Sequence, residues 1–269
     1  MVTIKAGEDF SLQKIADSGQ CFRWQRLDTE GNGITYRIPA MGRVLTASQI
    51  PEKGEIKLSC SHAEFDSVWR SYFDLDTDYA AIRARIDPSD TWLRKAADYG
   101  KGIRILRQDP FETLISFIIS QRKSIPAIRT SVEKLCAMAG REGCFPAAAD
   151  IERLGIDKIR ACAIGYRAPY VLKTASVFAE KTYTAAGLEG LDDDHLMEKL
   201  LELPGVGIKV ASCTMLFGFH RMNAFPKDVW ILRALEDHYP NGFPYERYDP
   251  YNGLMQQYIF AYYRDSHRT

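Results

Sequence analysis

Lys209 stands where a lysine could act as an amine nucleophile. It begins an apolar helical pattern directly after the turn-forming segment 203–207. The positive end of a helix dipole disfavours the ammonium form of a lysine in the first turn. The flanking Ile208, Val210 and Ala211 are apolar, and such a setting favours desolvation of the amine. A lysine on a helix surface is more often a solvated charge, and Lys209 taken alone leaves that alternative open.

Asp228 could stabilise positive charge that develops during a reaction. It lies in the segment 226–230, at the predicted start of another helix. An aspartate directly before an apolar helical pattern commonly caps the helix by accepting from its first N–H groups. One carboxylate can cap a helix and take part in catalysis, so we expect both roles for Asp228.

The segment 203–211 predicts a helix, a tight hairpin and a second helix. Gly205 and Gly207, on either side of Val206, let the backbone approach another surface closely. The free N–H groups at the start of the second helix are suited to bind a phosphate oxygen. The glycines by themselves are equally consistent with an ordinary turn between two helices.

The elements that must position these residues predict an α+β fold. Runs rich in β-branched and aromatic residues indicate an N-terminal antiparallel β-sheet with a turn at 29–33, and they lie at 21–25, 35–38 and 43–47. From Ala63 onward apolar residues recur at helical spacing, in 111–119, 125–138, 168–178 and 196–203.

We therefore expect two domains. The first is a β domain with flanking helices over residues 1–95, and the second is a two-part all-α region over residues 96–269. Within the second we place the hairpin at residues 196–215 and a C-terminal helix at residues 250–265.

Composition and charge limit the classes of function. The 269 residues carry 35 Lys and Arg against 35 Asp and Glu, so no global positive field attracts a polyanion, and nucleic-acid contact must be local. The 6 cysteines form no CxxC pair and no apolar leader precedes Ile4, which indicates the reducing cytoplasm. No apolar run reaches the roughly 18 residues of a membrane span, so we expect no membrane contact.

Five further motifs accompany the hairpin, Lys209 and Asp228, and they occur at 18–24 (SGQCFRW), 72–76 (YFDLD), 104–110 (RILRQDP), 165–168 (GYRA) and 250–253 (PYNG). In these motifs and their order the chain resembles the 8-oxoguanine DNA glycosylases of the helix-hairpin-helix superfamily. The resemblance covers nearly the whole chain, and it implies that the helical region is a helix-hairpin-helix glycosylase core.

The resemblance implies a pocket for one damaged base, flipped out of double-stranded DNA that contains oxidised guanine. Oxidised guanine carries a hydrogen at N7, and by resemblance the carbonyl of Gly19 accepts it. Cys213, four residues after Lys209, corresponds to one wall of the pocket. Gln256 and Phe260 correspond to residues that read the pairing edge and stack on the other face of the base. Without the resemblance, Cys213 and Phe260 would be interpreted as ordinary core residues.

The resemblance also implies residues that contact the duplex. Tyr166 corresponds to a wedge that fills the gap left by the flipped base, and Arg167 to an arginine that contacts the opposite base. An exposed pair after Gly165 could otherwise be ordinary loop surface. Arg122 lies in a segment that resembles a gap-filling loop, but it replaces an asparagine, and Ala127 replaces an arginine. The preference for cytosine opposite the lesion is therefore left open.

The chemistry implied is excision by attack of neutral Lys209 on C1′ of the sugar, with ionised Asp228 stabilising the positive charge. A covalent imine then permits strand cleavage by β-elimination. No metal or cofactor is implied for this reaction, and no four-cysteine iron-sulfur loop follows Cys213. Relatives suggest a monomer and a structural cation on the hairpin carbonyls near Leu201, Leu203 and Val206.

Three alternatives remain at this point. A monofunctional alkyl-base glycosylase of the same fold would use the aspartate with water and would not need Lys209. A non-enzymatic DNA-binding hairpin module would explain Gly205 and Gly207 but not Asp228. An unrelated α+β enzyme of small-molecule metabolism would have no affinity for DNA even at low salt.

Overall fold

The computed structural model describes residues 1–5, 7–28, 33–50, 54–140 and 143–267. Its N-terminal part forms an antiparallel sheet with the strand order β1-β5-β4-β3-β2. The strands are β1 Val2–Lys5, β2 Gln25–Leu27, β3 Ile34–Ala40, β4 Arg43–Ile50 and β5 Glu55–Leu58. The rest of the described chain is helical, which confirms the predicted α+β class.

The predicted strand at 21–25 is wrong except at Gln25, where β2 begins. Cys21, Phe22 and Trp24 are buried side chains of the segment before β2, and they pack into two different cores. Their aromatic and apolar character reflects this burial rather than strand pairing. Residues 29–32 of the predicted turn lie outside the described residues, while β2 and β3 on either side pair antiparallel.

The helices, numbered in chain order, are α1 Leu12–Asp17, α2 His62–Glu64, α3 Arg70–Tyr72, α4 Tyr79–Ala84, α5 Thr91–Gly100, α6 Pro110–Ser120, α7 Ile125–Ala139, α8 Ala148–Ile159, α9 Ala168–Ala179, α10 Ala185–Glu189, α11 Asp193–Leu201, α12 Ile208–Phe217, α13 Val229–His238, α14 Tyr245–Tyr248 and α15 Asn252–Ser266. The four helical patterns correspond to α6, α7, α9 and α11. The hairpin joins α11 to α12, and α15 is the predicted C-terminal helix. None of the described helices is long and apolar enough to cross a membrane.

Two buried clusters form the cores. The sheet packs with α1 and the helical segment after β5 around large aromatic residues, among them Trp24, Trp69 and Phe73. The second cluster lies among the helices and includes side chains of α4 and α5, such as Ile82 and Leu93. The predicted division between residues 95 and 96 remains a prediction.

The segment 104–108 joins the two cores. Arg104 donates hydrogen bonds to the carbonyls of Phe73, Asp9 and Thr77, and its guanidinium lies 4.1 Å from the ring centroid of Tyr79. These bonds satisfy a buried cation with backbone oxygens. The motif that begins with Arg104 therefore fixes the position of the sheet against the helices.

Candidate active site

Lys209 is the second residue of α12 and is half-buried. Its Nζ lies 4.8 Å from the ring centroid of Phe117 on α6, within the range of a cation–π contact. Of the apolar neighbours expected to desolvate the amine, Ile208 is 71% exposed, while Val210 and Ala211 are buried in the helical core. The expectation for Ile208 is therefore wrong, and Phe117 supplies the apolar contact.

Asp228 caps α13, as predicted from its position. Its Oδ1 accepts a hydrogen bond of 2.9 Å from the backbone N–H of Ile231. Burial raises the pKa of this carboxyl above its usual value, while the N–H groups of Ile231 and Trp230 and the cations of Lys209 and Arg264 act to lower it. The carboxylate is thus held near two cations from two other helices, α12 and α15.

Cys213 lies one helical turn after Lys209 and is buried. Burial raises the pKa of its thiol, and Asp228 also acts to raise it, whereas the charge of Lys209 and a hydrogen bond donated by Lys209 lower it. The amine, the thiol and the carboxylate therefore interact with one another. Burial thus favours the protonated thiol, which is a weaker nucleophile than a thiolate.

One narrow cavity of about 40 Å³ is bounded by all the predicted catalytic and base-pocket residues, namely Lys209, Asp228, Gly19, Cys213, Gln256 and Phe260. A wider cavity of about 330 Å³ adjoins it and shares Lys209, Asp228, Gly19 and Phe260. The narrow cavity has room for about one water molecule, so a base requires movement of a wall.

The turn after α1 brings Gly19 to this cavity. Gly19 has φ of 78°, in the left-handed region that favours glycine. The side chain of Gln20 fixes the turn: its Nε2 donates to Ser18 Oγ and to the Arg104 carbonyl, and its Oε1 accepts from the N–H of Leu106. The turn after α1 is thereby hydrogen-bonded to the segment that joins the two cores.

The opposite wall comes from α15. Phe260 lies against Gly19, with a ring carbon 3.5 Å from the point where a Cβ on that glycine would stand. The guanidinium of Arg264 lies 5.0 Å from the Phe260 ring centroid, and its Nη1 donates a 2.7 Å hydrogen bond to the carbonyl of Asp17, at the end of α1. Arg264 therefore links the two walls of the cavity.

The hairpin has one packed glycine and one open glycine. Gly205 has φ of 75°, and a Cβ there would lie 2.3 Å from the ring of Tyr170. A Cβ on Gly207 would meet no atom within 4 Å. Val206 between them is buried. The hairpin thus packs against α9 at Gly205, and its backbone at Gly207 is accessible.

The predicted duplex-contacting segments touch one another. Tyr166 is 56% exposed, and its ring packs edge-on against Tyr170. Arg167 is only 5% exposed and donates to the carbonyls of Ile164 and Gln121, which excludes an ordinary exposed loop. Gln121 in turn donates a 2.9 Å hydrogen bond to the Gly205 carbonyl.

Arg122, the third predicted contact, follows Gln121 and is exposed with φ of 51°. The hairpin, the single helical turn Gly165–Arg167 (here called the Tyr166 loop) and the segment with Gln121 and Arg122 form one surface. The roles of these residues toward DNA remain predictions, as does the hairpin cation. Within the described ranges no group of three His, Cys, Asp or Glu side chains could hold a metal ion.

Sequence reasoning missed several residues of the cavity, which are Ser18, Phe117, Phe217, Pro226 and Gln257. Phe117 lies in α6, most of whose residues are apolar, so its sequence context did not distinguish it from a core residue. Arg264 was also missed, although its position four residues after Phe260 predicts that the two side chains are neighbours.

Comparison with known proteins finds two family models that follow one another along the chain. The N-terminal domain of 8-oxoguanine DNA glycosylase matches residues 2–114. The HhH-GPD superfamily base excision DNA repair protein matches residues 115–243.

Individual relatives are similar over most of their length. The N-glycosylase/DNA lyase of Saccharomyces cerevisiae is 31% identical over 260 residues, 86% of this chain and 69% of that protein. A Methanothermobacter thermautotrophicus protein named "Probable N-glycosylase/DNA lyase" is 30% identical over 231 residues, which cover 72% of each chain. A similar structure is that of Clostridium acetobutylicum 8-oxoguanine glycosylase/lyase in complex with double-stranded DNA containing cytosine opposite 8-oxoguanine. Its TM-score is 0.88 and its sequence is 33% identical, and the match covers 97% of this chain and 94% of that one.

Proposed function

This chain belongs to the 8-oxoguanine DNA glycosylases of the helix-hairpin-helix superfamily, and we propose that it excises 8-oxoguanine with Lys209 as the nucleophile. It is a DNA N-glycosylase and lyase of base excision repair. The observation that supports the residue assignment is the shared cavity, in which the amine of Lys209, the thiol of Cys213 and the carboxylate of Asp228 interact beside Gly19.

The reaction begins with attack of the uncharged Lys209 amine on C1′ of the lesion nucleotide. The C1′–N9 bond breaks, and its electron pair leaves with the base, which takes up a proton. Asp228 stabilises the positive charge that develops on the sugar. The sugar ring then opens as O4′ takes a proton from the attached nitrogen, which leaves a protonated imine between Nζ and C1′.

The imine accounts for the lyase step. It withdraws electrons from the sugar, so a base can remove a proton from C2′, and the 3′-phosphate leaves with the electron pair of the C3′–O bond. Water then hydrolyses the imine and restores the amine of Lys209. Both activities therefore depend on one nitrogen atom.

Base recognition depends on widening the narrow cavity. Phe260 is half-buried and borders both the narrow cavity and the wider one beside it. We infer that Phe260 moves from Gly19 to admit the base, which then lies between its ring and the Cys213 sulfur. The Gly19 carbonyl accepts from N7–H of 8-oxoguanine, a hydrogen that guanine lacks, and Gln256 reads the pairing edge.

The duplex contacts belong to the surface formed by the hairpin, the Tyr166 loop and Arg122. Open backbone at Gly207 suits a phosphate oxygen at the start of α12. Tyr166 is exposed and placed to fill the gap in the duplex. Arg167 donates hydrogen bonds to two carbonyls, so contact with the opposite base requires at least one of these hydrogen bonds to break. We propose that the enzyme acts as a monomer in the cytoplasm.

Borohydride trapping tests the nucleophile. Reduction of the imine joins the protein covalently to lesion-bearing DNA, so the parent should be trapped on a duplex with 8-oxoguanine. Lys209→Gln should abolish the trapped species and slow single-turnover excision by at least about 100-fold, because nucleophilic participation is lost. Gel mobility of the trapped complex and product release are the measurements.

Lys227→Gln is the matched control. Lys227 is an exposed lysine next to Asp228, and its amine lies over Tyr245 rather than in the cavity. This variant should be trapped as well as the parent. Trapping of Lys209→Gln at the parental level would reject Lys209 as the nucleophile.

A further inference from the structure

We propose that Gln257 is a specificity-determining residue that accepts a hydrogen bond from the 2-amino group of the flipped guanine base. Gln257 lies next to Gln256 on α15 and lines the same narrow cavity. None of the sequence motifs marks it. The proposal rests on the proposed function, since it assigns a role within the same pocket.

A chain of hydrogen bonds fixes the orientation of the two amides. The Nε2 of Gln256 donates a 3.1 Å hydrogen bond to the carbonyl of Pro226, and a carbonyl can only accept. The Oε1 of Gln256 must therefore face its other partner, the Nε2 of Gln257, at 3.0 Å. It follows that the Oε1 of Gln257 is the oxygen left over, and a flip of either amide would set two like groups against each other.

This leftover oxygen is buried without a hydrogen-bond partner in the structure. Gln257 is 3% exposed, so bulk solvent does not satisfy it. An unsatisfied buried acceptor destabilises the folded state, because the group has lost its hydrogen bonds to water without gaining a partner. Such a group in a core calls for an explanation, and in a ligand cavity a donor on the ligand provides one.

The pairing edge of guanine supplies the donors that fit. It carries N1–H and a 2-amino group with both of its hydrogens, beside one acceptor, O6. Pro226, Gln256 and Gln257 all line the narrow cavity. The Pro226 carbonyl and the Oε1 of Gln256 already accept hydrogen bonds within the protein, whereas the Oε1 of Gln257 is the acceptor without a partner. Adenine and the pyrimidines do not present this set of N–H groups, so the acceptor of Gln257 favours guanine-derived bases.

Paired substrates that differ by the 2-amino group test the assignment. Single-turnover excision is measured on duplexes with 8-oxoguanine or 8-oxohypoxanthine opposite cytosine, for the parent and for Gln257→Met. Methionine keeps the length of the side chain and removes the acceptor. We expect the parent to excise 8-oxoguanine about tenfold faster or more, which corresponds to one hydrogen bond. Gln257→Met should lower this ratio toward one, mainly by slowing 8-oxoguanine excision.

A second pair of variants separates direct contact from an effect through Gln256. Gln256→Met is compared with the double variant Gln256→Met/Gln257→Met. Direct contact predicts that removal of Gln257 lowers the ratio in both backgrounds. If the ratio falls only when Gln256 is present, Gln257 merely orients Gln256 and the proposal is wrong.

The remaining outcomes are also decisive. If Gln257→Met keeps the parental ratio of the two rates, the proposal is overturned. This holds whether both rates stay at the parental level or fall by the same factor. Melting temperatures verify folding, and Gln257→Leu replaces Gln257→Met if the latter fails to fold. A parent that excises neither base would count against the proposed function itself, which is a different result from an active parent without dependence on Gln257.

Discussion

Two requirements act on the carboxyl group of Asp228. In the proposed mechanism Asp228 stabilises positive charge and must therefore be ionised, but its burial favours the neutral form and raises its pKa. The groups that face it are the N–H groups of its own helix, Lys209 and Cys213 from α12, and Arg264 from α15. In the proposed mechanism Lys209 reacts as an uncharged amine, so Arg264 is then the remaining cation in this set.

Arg264→Met should therefore shift the pH dependence of excision. Removal of the cation raises the pKa of Asp228 further, so at a given pH less of the carboxyl is ionised. The acid limb of the single-turnover rate should move to higher pH, and this shift is measured separately from any change in the plateau rate. Arg264→Lys should restore part of the shift because it restores the charge. Single-turnover rates measured between about pH 5 and about pH 9 test this shift.

Two variants control this experiment. Arg233→Met removes a cation from α13 that lies over Trp230, and Arg233 is not among the groups that act on Asp228, so its profile should match the parent. In an Asp228→Asn background Arg264→Met should no longer move the acid limb. An identical profile for Arg264→Met and the parent would show that Arg264 does not set the ionisation of Asp228.

The two glycines of the hairpin have different structural roles. Gly205 holds a left-handed backbone against Tyr170, whereas Gly207 has an ordinary φ of −99° and open space. Sequence alone treated them alike, because both belong to one turn between α11 and α12. Packing on α9, which a local motif does not contain, distinguishes them.

Gly205→Ala should destabilise the protein and weaken DNA binding together. An L-residue with positive φ costs roughly 1–2 kcal/mol, and displacement of Tyr170 adds to this. The melting temperature should fall, and the affinity for lesion-free duplex should decrease because the hairpin shifts from the Tyr166 loop. Thermal unfolding and fluorescence anisotropy at fixed salt are the measurements.

Gly207→Ala is the matched substitution. It should leave the melting temperature unchanged, because the new Cβ meets no atom, and should lower DNA affinity if a phosphate lies against this backbone. Equal melting temperatures for Gly205→Ala and the parent would contradict the packed role of Gly205.

At the scale of the molecule, a buried cluster around Asp74 joins the two cores. Asp74 accepts hydrogen bonds from Tyr79 and Arg107, and its Oδ2 lies 3.5 Å from His220 Nε2, just beyond α12. Burial would raise the pKa of Asp74, but hydrogen bonds from His220, Tyr79 and Thr77 lower it well below its usual range. The motifs at 72–76 and 104–110 thus meet at this junction.

Asp74→Asn should lower the free energy of unfolding at pH 7 by about 1–3 kcal/mol, because Arg107 and the buried partners of Asp74 lose a charged acceptor. Since the folded pKa of Asp74 is depressed, the parent has this stability above the unfolded value of 3.8 and loses it as the pH falls toward the folded value. The difference between variant and parent should therefore shrink below about pH 4. Urea unfolding across this range tests it.

Asp76→Asn provides the comparison two residues away. Asp76 is exposed and pairs with Arg70 on the surface, where an ion pair contributes little. Its variant should unfold like the parent at every pH. If the unfolding curve of Asp74→Asn also matched that of the parent, the cluster would not stabilise the junction.

Much of this architecture could be predicted from sequence, for reasons that differ between its parts. The periodicity of α7 and α9 is local, so their bounds were close to the observed ones. The segment 21–24 was misassigned because apolar character reports burial and does not specify strand pairing. Helix periodicity separates Gln256 from Gln257. Only the tertiary placement of α15 beside Pro226 and Gly19 brings both glutamines to one cavity.

The walls of the cavity come from nearly opposite ends of the chain, with Gly19 after α1 and Phe260 on the last described helix. A ribosome that has released the residues up to the end of α13 has already produced Gly19, Lys209, Cys213 and Asp228, but not the cavity residues of α15. Until α15 docks, the cavity therefore lacks one wall, and the proposed pocket cannot close around a base.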